Sequence, residues 1–329
     1  MKEEHISYLV CPRCQESLTL ARVNSTDSGA IKEGALDCLR CHTRYNIVNF
    51  IPRFVALNNY AANFGFEWNK HYRTQYDSYT GTRISADRFF AETKWPGDLR
   101  GQLVLEVGSG SGRFTEIAAA TGAFVVSFDY SNAVEANYKS NGHKANVLIV
   151  QANIYAMPFK FDYFDKIFCF GVLQHLPDVE KGFLQLPRYL KPGGSLVVDC
   201  YRYPGFRFYL NPRTILRLFT KHLPHETLYR AVTRYVNLMW PISRQIHKLP
   251  FGRQLNQALL IGDYRGIRPL SEEHLKEWAI LDTFDMLSPA YERPQTVKTI
   301  RKWFEKAGLI NIEVHPGYNG IEGRGMKAI

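Results

Sequence analysis

The 329-residue chain contains no apolar run approaching the roughly 20 residues that a membrane-crossing helix needs, so no spanning helix is expected. Its first residues, Met1 to His5, lack the apolar core of a signal peptide, and the expectation that follows is a cytoplasmic protein. Cysteine is scarce and unevenly placed. Of six, four form two C-x-x-C pairs, while Cys169 and Cys200 fall in predicted buried strands, where a small apolar thiol is common. That usage fits a reducing compartment better than a disulfide framework. Acid is what residues 201–255 lack: ten basic side chains stand there against one acid, Glu226, which leaves +9 of the chain's +10 in this stretch. A dinucleotide fingerprint is missing as well. Gly108, Gly110 and Gly112 alternate, but position 113, where G-x-G-x-x-G needs a third glycine, is Arg113. This disfavours a nicotinamide cofactor.

What is present at the same place is an apolar run, Leu103 to Val107, carrying Glu106 and ending in the glycines, as a strand-to-helix turn needs when a nucleotide-like ligand lies against bare backbone. A helix is predicted over 113–121 and a second strand over 123–129, ending at Asp129, 21 residues beyond Gly108. A third strand, Val147–Val150, runs into Gln151-Ala152-Asn153-Ile154. A fourth, Phe164–Phe170, leads into Gly171 and on to His175. The turn Leu190-Lys191-Pro192-Gly193-Gly194 precedes a fifth strand, Ser195–Cys200. In this order the features resemble class I S-adenosylmethionine (SAM)-dependent methyltransferases over residues 101–200, and most of all the branch of the ubiquinone and menaquinone C-methyltransferases.

The resemblance implies an α/β fold, a doubly wound seven-stranded Rossmann-like sheet whose last two strands form a hairpin near 309–318. It also implies a cofactor site of Glu106, Gly108, Ser109, Gly110, Gly112, Asp129, Tyr130, Asn153, Ile154 and Gly171. Asp129 would accept from the ribose hydroxyls. Asn153, where the family usually has Asp, would offer an amide oxygen to the adenine amino group. A Rossmann-like domain with another ligand is the competing reading.

Cys11-Pro-Arg-Cys14 and Cys38-Leu-Arg-Cys41 are two knuckles 23 residues apart, a pattern that gives a tetrahedral zinc site with four cysteine ligands and no open position, hence a structural one. The polar stretch Asn24–Gly29 is expected to loop out between them. With Tyr45–Phe54 following, the segment resembles the small zinc-binding activator of tRNA and protein methyltransferases, placing a zinc-ribbon domain at 1–57. Redox-active pairs are the alternative. Residues 58–100 are rich in aromatics; by resemblance they form a helical lid, with Trp68, Tyr72, Gln75 and Asp77 as candidates, or they pack on the sheet edge as core.

Residues 101–329 would form the methyltransferase domain, with a basic helical insertion at 201–270. Arg213, Arg217 and Lys221 repeat every four residues opposite Ile215, Leu218 and Phe219, and Arg230 and Arg234 do so opposite Leu228 and Val232, which predicts two amphipathic helices with basic faces toward solvent. Such a face suits an anionic membrane surface, phosphates of RNA or of an anionic sugar- or lipid-linked acceptor, or solvent alone. For chemistry, His175 stands at the carboxyl edge of the sheet as a candidate base, with Asp285 and Tyr291 behind it in an irregular segment predicted over 281–294. The function expected is methyl transfer from SAM to a small anionic acceptor; RNA methylation and a non-catalytic SAM-binding scaffold are the alternatives.

Overall fold

The computed structural model describes residues 1–56 and 59–329, so the expected boundary between ribbon and lid, at 57–58, lies outside the described residues. Strands β1 (Leu18–Asp27), β2 (Ala30–Cys38), β3 (Arg44–Val48) and β4 (Ile51–Pro52) pair antiparallel in chain order. The loop expected over 24–29 is mostly ladder. Only Ser28 and Gly29 turn, with φ of 49° and 77°, because a two-residue turn in left-handed backbone matches the twist of the strands it joins. The two knuckles fold alike: Gln15 donates to the Cys11 carbonyl (2.8 Å) and His42 to the Cys38 carbonyl (2.9 Å), each turn closing on a residue at positive φ.

This ribbon is not a separate body. Leu36, Cys38 and Ile47 share one apolar cluster with Leu105, Phe128 and Phe159 of the larger domain. Tyr8 stacks on Phe124 at 4.5 Å, and Phe54 donates its amide to the Gln151 carbonyl at 2.8 Å. Arg53 donates to the Gln151 side chain (2.8 Å) and pairs with Glu135.

Helices α1 (Ala62–Lys70), α2 (Asp77–Thr80) and α3 (Ile84–Thr93) lead into β5 (Leu103–Val107), α4 (Arg113–Ala120), β6 (Phe124–Asp129), α5 (Val134–Asn141), β7 (Val147–Gln151), β8 (Phe164–Cys169), α6 (Val179–Tyr189) and β9 (Leu190–Cys200). These five strands are parallel. They read as unbroken apolar runs because both faces are covered: Leu105, Val126 and Leu148 face one core, and Val104, Val125 and Ile149 the other. After α7 (Pro212–Thr220), α8 (His225–Ile246), α9 (Gly252–Asn256), α10 (Glu272–Leu287) and α11 (Val297–Lys306), a hairpin of β10 (Leu309–Gly317) and β11 (Gly320–Lys327) returns antiparallel to β9. The sheet order is β10-β11-β9-β8-β5-β6-β7, so β5 lies where the winding reverses and its carboxyl end opens the crevice that ligands use in such sheets.

The insertion runs past residue 270. Leu228, Val232, Val236 and Trp240, one turn apart on α8, pack against Leu275, Ala279 and Phe284 of α10. The irregular segment expected over 281–294 is corrected in its first half: Leu281 and Phe284 keep helical spacing toward this core, and α10 continues to Leu287, where Pro289 forbids a further turn.

Candidate active site

A single cavity of about 700 Å³ lies over the carboxyl ends of β5, β6 and β8, a volume typical of small-molecule sites. Its floor is the glycine turn. The amides of Gly108 and Ser109 both donate to the Phe128 carbonyl (2.8 and 3.0 Å), which fastens the turn to β6. Gly108, Ser109, Gly110, Asp129, Tyr130, Asn153, Ile154 and Gly171 all line the cavity. Asp129 is held by the amides of Gly110 (2.9 Å) and Ser131 (2.8 Å) and by the Ser131 hydroxyl (2.7 Å), leaving lone pairs of its carboxylate for a ligand diol. The Asn153 oxygen already accepts from the Tyr155 amide at 3.0 Å, so its turn is preformed.

Two expected cofactor residues are not on the cavity wall. Glu106 is buried beneath the turn and accepts from the hydroxyls of Thr115 and Ser127, clamping α4 to the sheet; burial pushes its carboxyl up to about 7 against those bonds. Gly112 faces α5. A Cβ there would meet Asn137 Oδ1 at 2.1 Å, so this glycine is required by helix packing. Of the lid candidates, Trp68 and Gln75 line the cavity. Asp77 instead accepts from the amides of Ser85 and Ala86 (2.9 and 2.8 Å) at the start of α3, and the Tyr72 ring lies under Lys139 Nζ at 3.7 Å. Tyr76 was not anticipated: its hydroxyl donates to the Ser111 carbonyl at 2.6 Å and braces the glycine turn from the lid side.

The other end of the cavity is built by the insertion, and here the expected orientation of α7 is reversed. Arg217 is buried, donating to the Met286 carbonyl and paired with Glu292, and Arg213 reaches the Ile261 carbonyl at 3.3 Å; both line the cavity. Ile215, Leu218 and Phe219 face solvent, Phe219 with 71% of its surface exposed. Amphipathic periodicity fixes that two faces differ, but it does not say which one meets protein. A polar cavity beneath the helix decides here. The other predicted helix, α8, behaves as expected: Arg230 and Arg234 are exposed, and Leu228 and Val232 are buried. The side chain of Arg207 lies outside the described residues.

The cavity is rich in cations without ion-pair partners among the described residues. Arg113, Arg213 and Arg268 line it unpaired. Burial, with Arg88 and Arg268 nearby, lowers the Arg113 guanidinium to about 9, still a cation at neutral pH. Arg268 lies over the Tyr264 and Trp278 rings at 4.1 and 3.9 Å, and its Nη1 is buried without a hydrogen-bond partner. Acids face them. Burial, then Asp282, pushes Asp285 up to about 7. Glu67, fully buried with both carboxyl oxygens unpartnered, is raised well above the usual range by burial and by Asp285 and Asp282. Glu67 escaped the sequence reading because an acid in an aromatic helix looks like a solvent-facing residue.

His175 lines the cavity with its ring against Phe64 at 4.9 Å. Its Nδ1 is 3.0 Å from the Tyr291 carbonyl, which can only accept, so Nδ1 carries the proton and Nε2 holds the lone pair. Burial lowers its pKa to about 4, which keeps the ring neutral. Tyr291 therefore acts through its backbone. Its ring packs edge-on against Tyr60 at 5.5 Å, outside the cavity lining. Away from the cavity, the sulfurs of Cys11, Cys14, Cys38 and Cys41 lie within 4.8 Å of one another, with Tyr45 Oη and Thr43 Oγ1 each 3.2 Å from a sulfur; the cluster permits a tetrahedral metal ion.

Among solved structures, the phosphoethanolamine N-methyltransferase 2 of Haemonchus contortus in complex with S-adenosyl-L-methionine is similar at 17% identity, covering 78% of this chain and 43% of that one with a TM-score of 0.41. The chain is 36% identical over 106 residues to the ubiquinone/menaquinone biosynthesis C-methyltransferase of Vibrio campbellii, covering 30% of this chain and 40% of that protein. It is 31% identical over 109 residues to the demethylmenaquinone methyltransferase of Clavibacter sepedonicus, covering 33% and 44%. The chain thus spans less than half the length of these curated relatives. The family model described as a methyltransferase domain matches residues 105–198, from β5 to β9, so the crevice with the glycine turn and Asp129 belongs to a methyltransferase domain.

Proposed function

We propose that the protein transfers a methyl group from SAM to a small acceptor bearing an anionic group. One observation carries the reading: a single cavity joins the glycine turn and Asp129 at one end to the unpaired guanidinia of Arg213 and Arg268 at the other. The residues present fit the cofactor. At Gly110, a Cβ would come within 3.0 Å of the Trp68 ring, so bare backbone is what lets this lid residue close over the turn, and Asp129 is oriented by three donors with acceptor capacity to spare. When bound, SAM supplies a methyl group made electrophilic by its sulfonium.

The chain's own residues have two tasks, to align the acceptor with that methyl and to exclude water. Trp68, Phe64 and the inner face of α7 roof the cavity. Arg213 and Arg268, both half-buried, would take the acceptor's anionic group, since partly desolvated cations without an ion-pair partner are relieved by an incoming anion. Asp285, poised near neutrality, would receive a proton from an acceptor that keeps one, with Glu67 holding its own proton beside it. His175 Nε2 is a second, weaker acceptor. An RNA acceptor is disfavoured because Arg213 and Arg217, the expected phosphate-tracking face, enter the cavity.

The test pairs calorimetry of SAM binding with transfer of labelled methyl to a panel of carboxylated and phosphorylated small molecules and to RNA. Arg268→Gln should raise KM for the acceptor about tenfold or more, as loss of a charged hydrogen bond does, while leaving SAM affinity unchanged. Labelling confined to RNA would overturn the acceptor assignment.

A further inference from the structure

The reversal of α7 leaves a surface to be explained. Of 23 large apolar side chains exposed in the described structure, 15 lie between Phe206 and Ile267. The densest group occupies and flanks α7: Phe206, Leu210, Ile215, Leu218, Phe219 and Leu223, each between 44% and 72% exposed. Monomeric proteins rarely leave such a cluster uncovered unless something binds it. The same insertion carries exposed cations, Arg230, Arg234, Arg244, Lys248 and Arg253. Of these five, only Arg230 has an ion pair among the described residues, to Glu226.

We infer that the outer face of α7 and the segment before it dock on an anionic lipid bilayer, so that an amphiphilic acceptor enters the cavity from the membrane surface. Charge selects this occupant. A second copy would have to meet the patch with the same patch, bringing two strongly basic insertions together. A bilayer containing anionic lipid offers apolar depth to Phe206, Leu218 and Phe219 and counter-charge to the exposed arginines and lysines that the same insertion carries. The two faces of α7 then have complementary uses: the outer one lies in the interface, while Arg213 and Arg217 on the inner one line the cavity. A membrane-resident acceptor with an anionic head would pass its head one helix diameter inward to reach the unpaired guanidinia. This rests on the anionic-acceptor reading for its purpose, but the docking itself is independent of turnover.

Flotation of the full chain with phosphatidylcholine vesicles, alone or mixed with phosphatidylglycerol, tests it. The wild type should float with the mixed vesicles and not with phosphatidylcholine alone, and the bound fraction should fall as salt rises. L218S/F219S should reduce flotation at least tenfold with calorimetric binding of SAM intact; Phe206→Ser, in a different segment, gives a second reading should the double variant not fold. R230Q/R234Q should weaken flotation at low salt and flatten its dependence on salt. Failure of the wild type to float, or a concentration-dependent dimer in light scattering that L218S/F219S dissolves, would overturn the inference. Flotation without SAM binding would sink the methyl-transfer reading and leave this one standing.

Discussion

Gly108→Ala is the change whose size follows most directly from the geometry. Gly108 has φ of +75°, and in left-handed backbone a Cβ costs about 1–2 kcal/mol. The new Cβ would also lie 2.3 Å and 2.9 Å from the two Val172 methyls and 3.1 Å from Val172 Cβ, so no rotation of that β-branched side chain clears it. Overpacking of this kind adds about 1–3 kcal/mol, for about 2–5 kcal/mol in all. Gly81 is the control: it has φ of +69° with no atom within 4 Å of its ideal Cβ, so Gly81→Ala should lose only the backbone part, about 1–2 kcal/mol. Because Gly108 and Val172 both line the cavity floor, relaxation at Gly108 should also displace the cofactor, with each ~1.4 kcal/mol of misfit weakening binding tenfold. Urea unfolding and SAM calorimetry on both variants measure the two parts. Equal stability losses, or a Gly108→Ala protein that binds SAM as the wild type does, would refute the reasoning.

Asp285 has its carboxyl raised from 3.8 to about 7, so the folded protein binds the extra proton and stability falls as pH rises through that window. Asp285→Asn should remove a penalty of up to about 4 kcal/mol above pH 7, read by denaturation at pH 5 and pH 8. If Asp285 is the base, the variant should also lose the rise in kcat/KM near neutrality. Arg217→Gln leaves Glu292, only 17% exposed in its side chain, without its partner, and should cost about 3–5 kcal/mol, measurable as a drop in Tm; a change under half a kcal/mol would contradict the buried pairing. Elemental analysis should return about one zinc per chain, and because Cys38 packs in the core shared with the sheet, Cys38→Ser or chelation should lower the stability of the whole chain, not of the ribbon alone. Independent melting of a ribbon unit would refute the shared core.

The sequence by itself determined the local backbone chemistry. Alternating glycines ending an apolar run specify a turn that bare backbone must form, an acid closing the next strand specifies Asp129, and paired C-x-x-C knuckles specify the four-sulfur cluster, since each depends on neighbours a few residues apart. The uninterrupted apolar strands likewise announced a sheet covered on both faces. Direction was decided only in three dimensions. The four-residue repeat of Arg213 and Arg217 fixes a stripe on α7, and it points inward because a cavity bearing Glu292 and Asp285 lies there, a fact held by residues some 70 positions away. Glu67 became a buried acid because α10 covers it, Gly112 a packing residue because α5 crosses it, and the ribbon part of the core because Tyr8, Arg53 and Phe54 meet the edge of the sheet. Periodicity along a chain sets which side chains share a face; only the elements packed against that face set whether it meets protein, ligand or solvent.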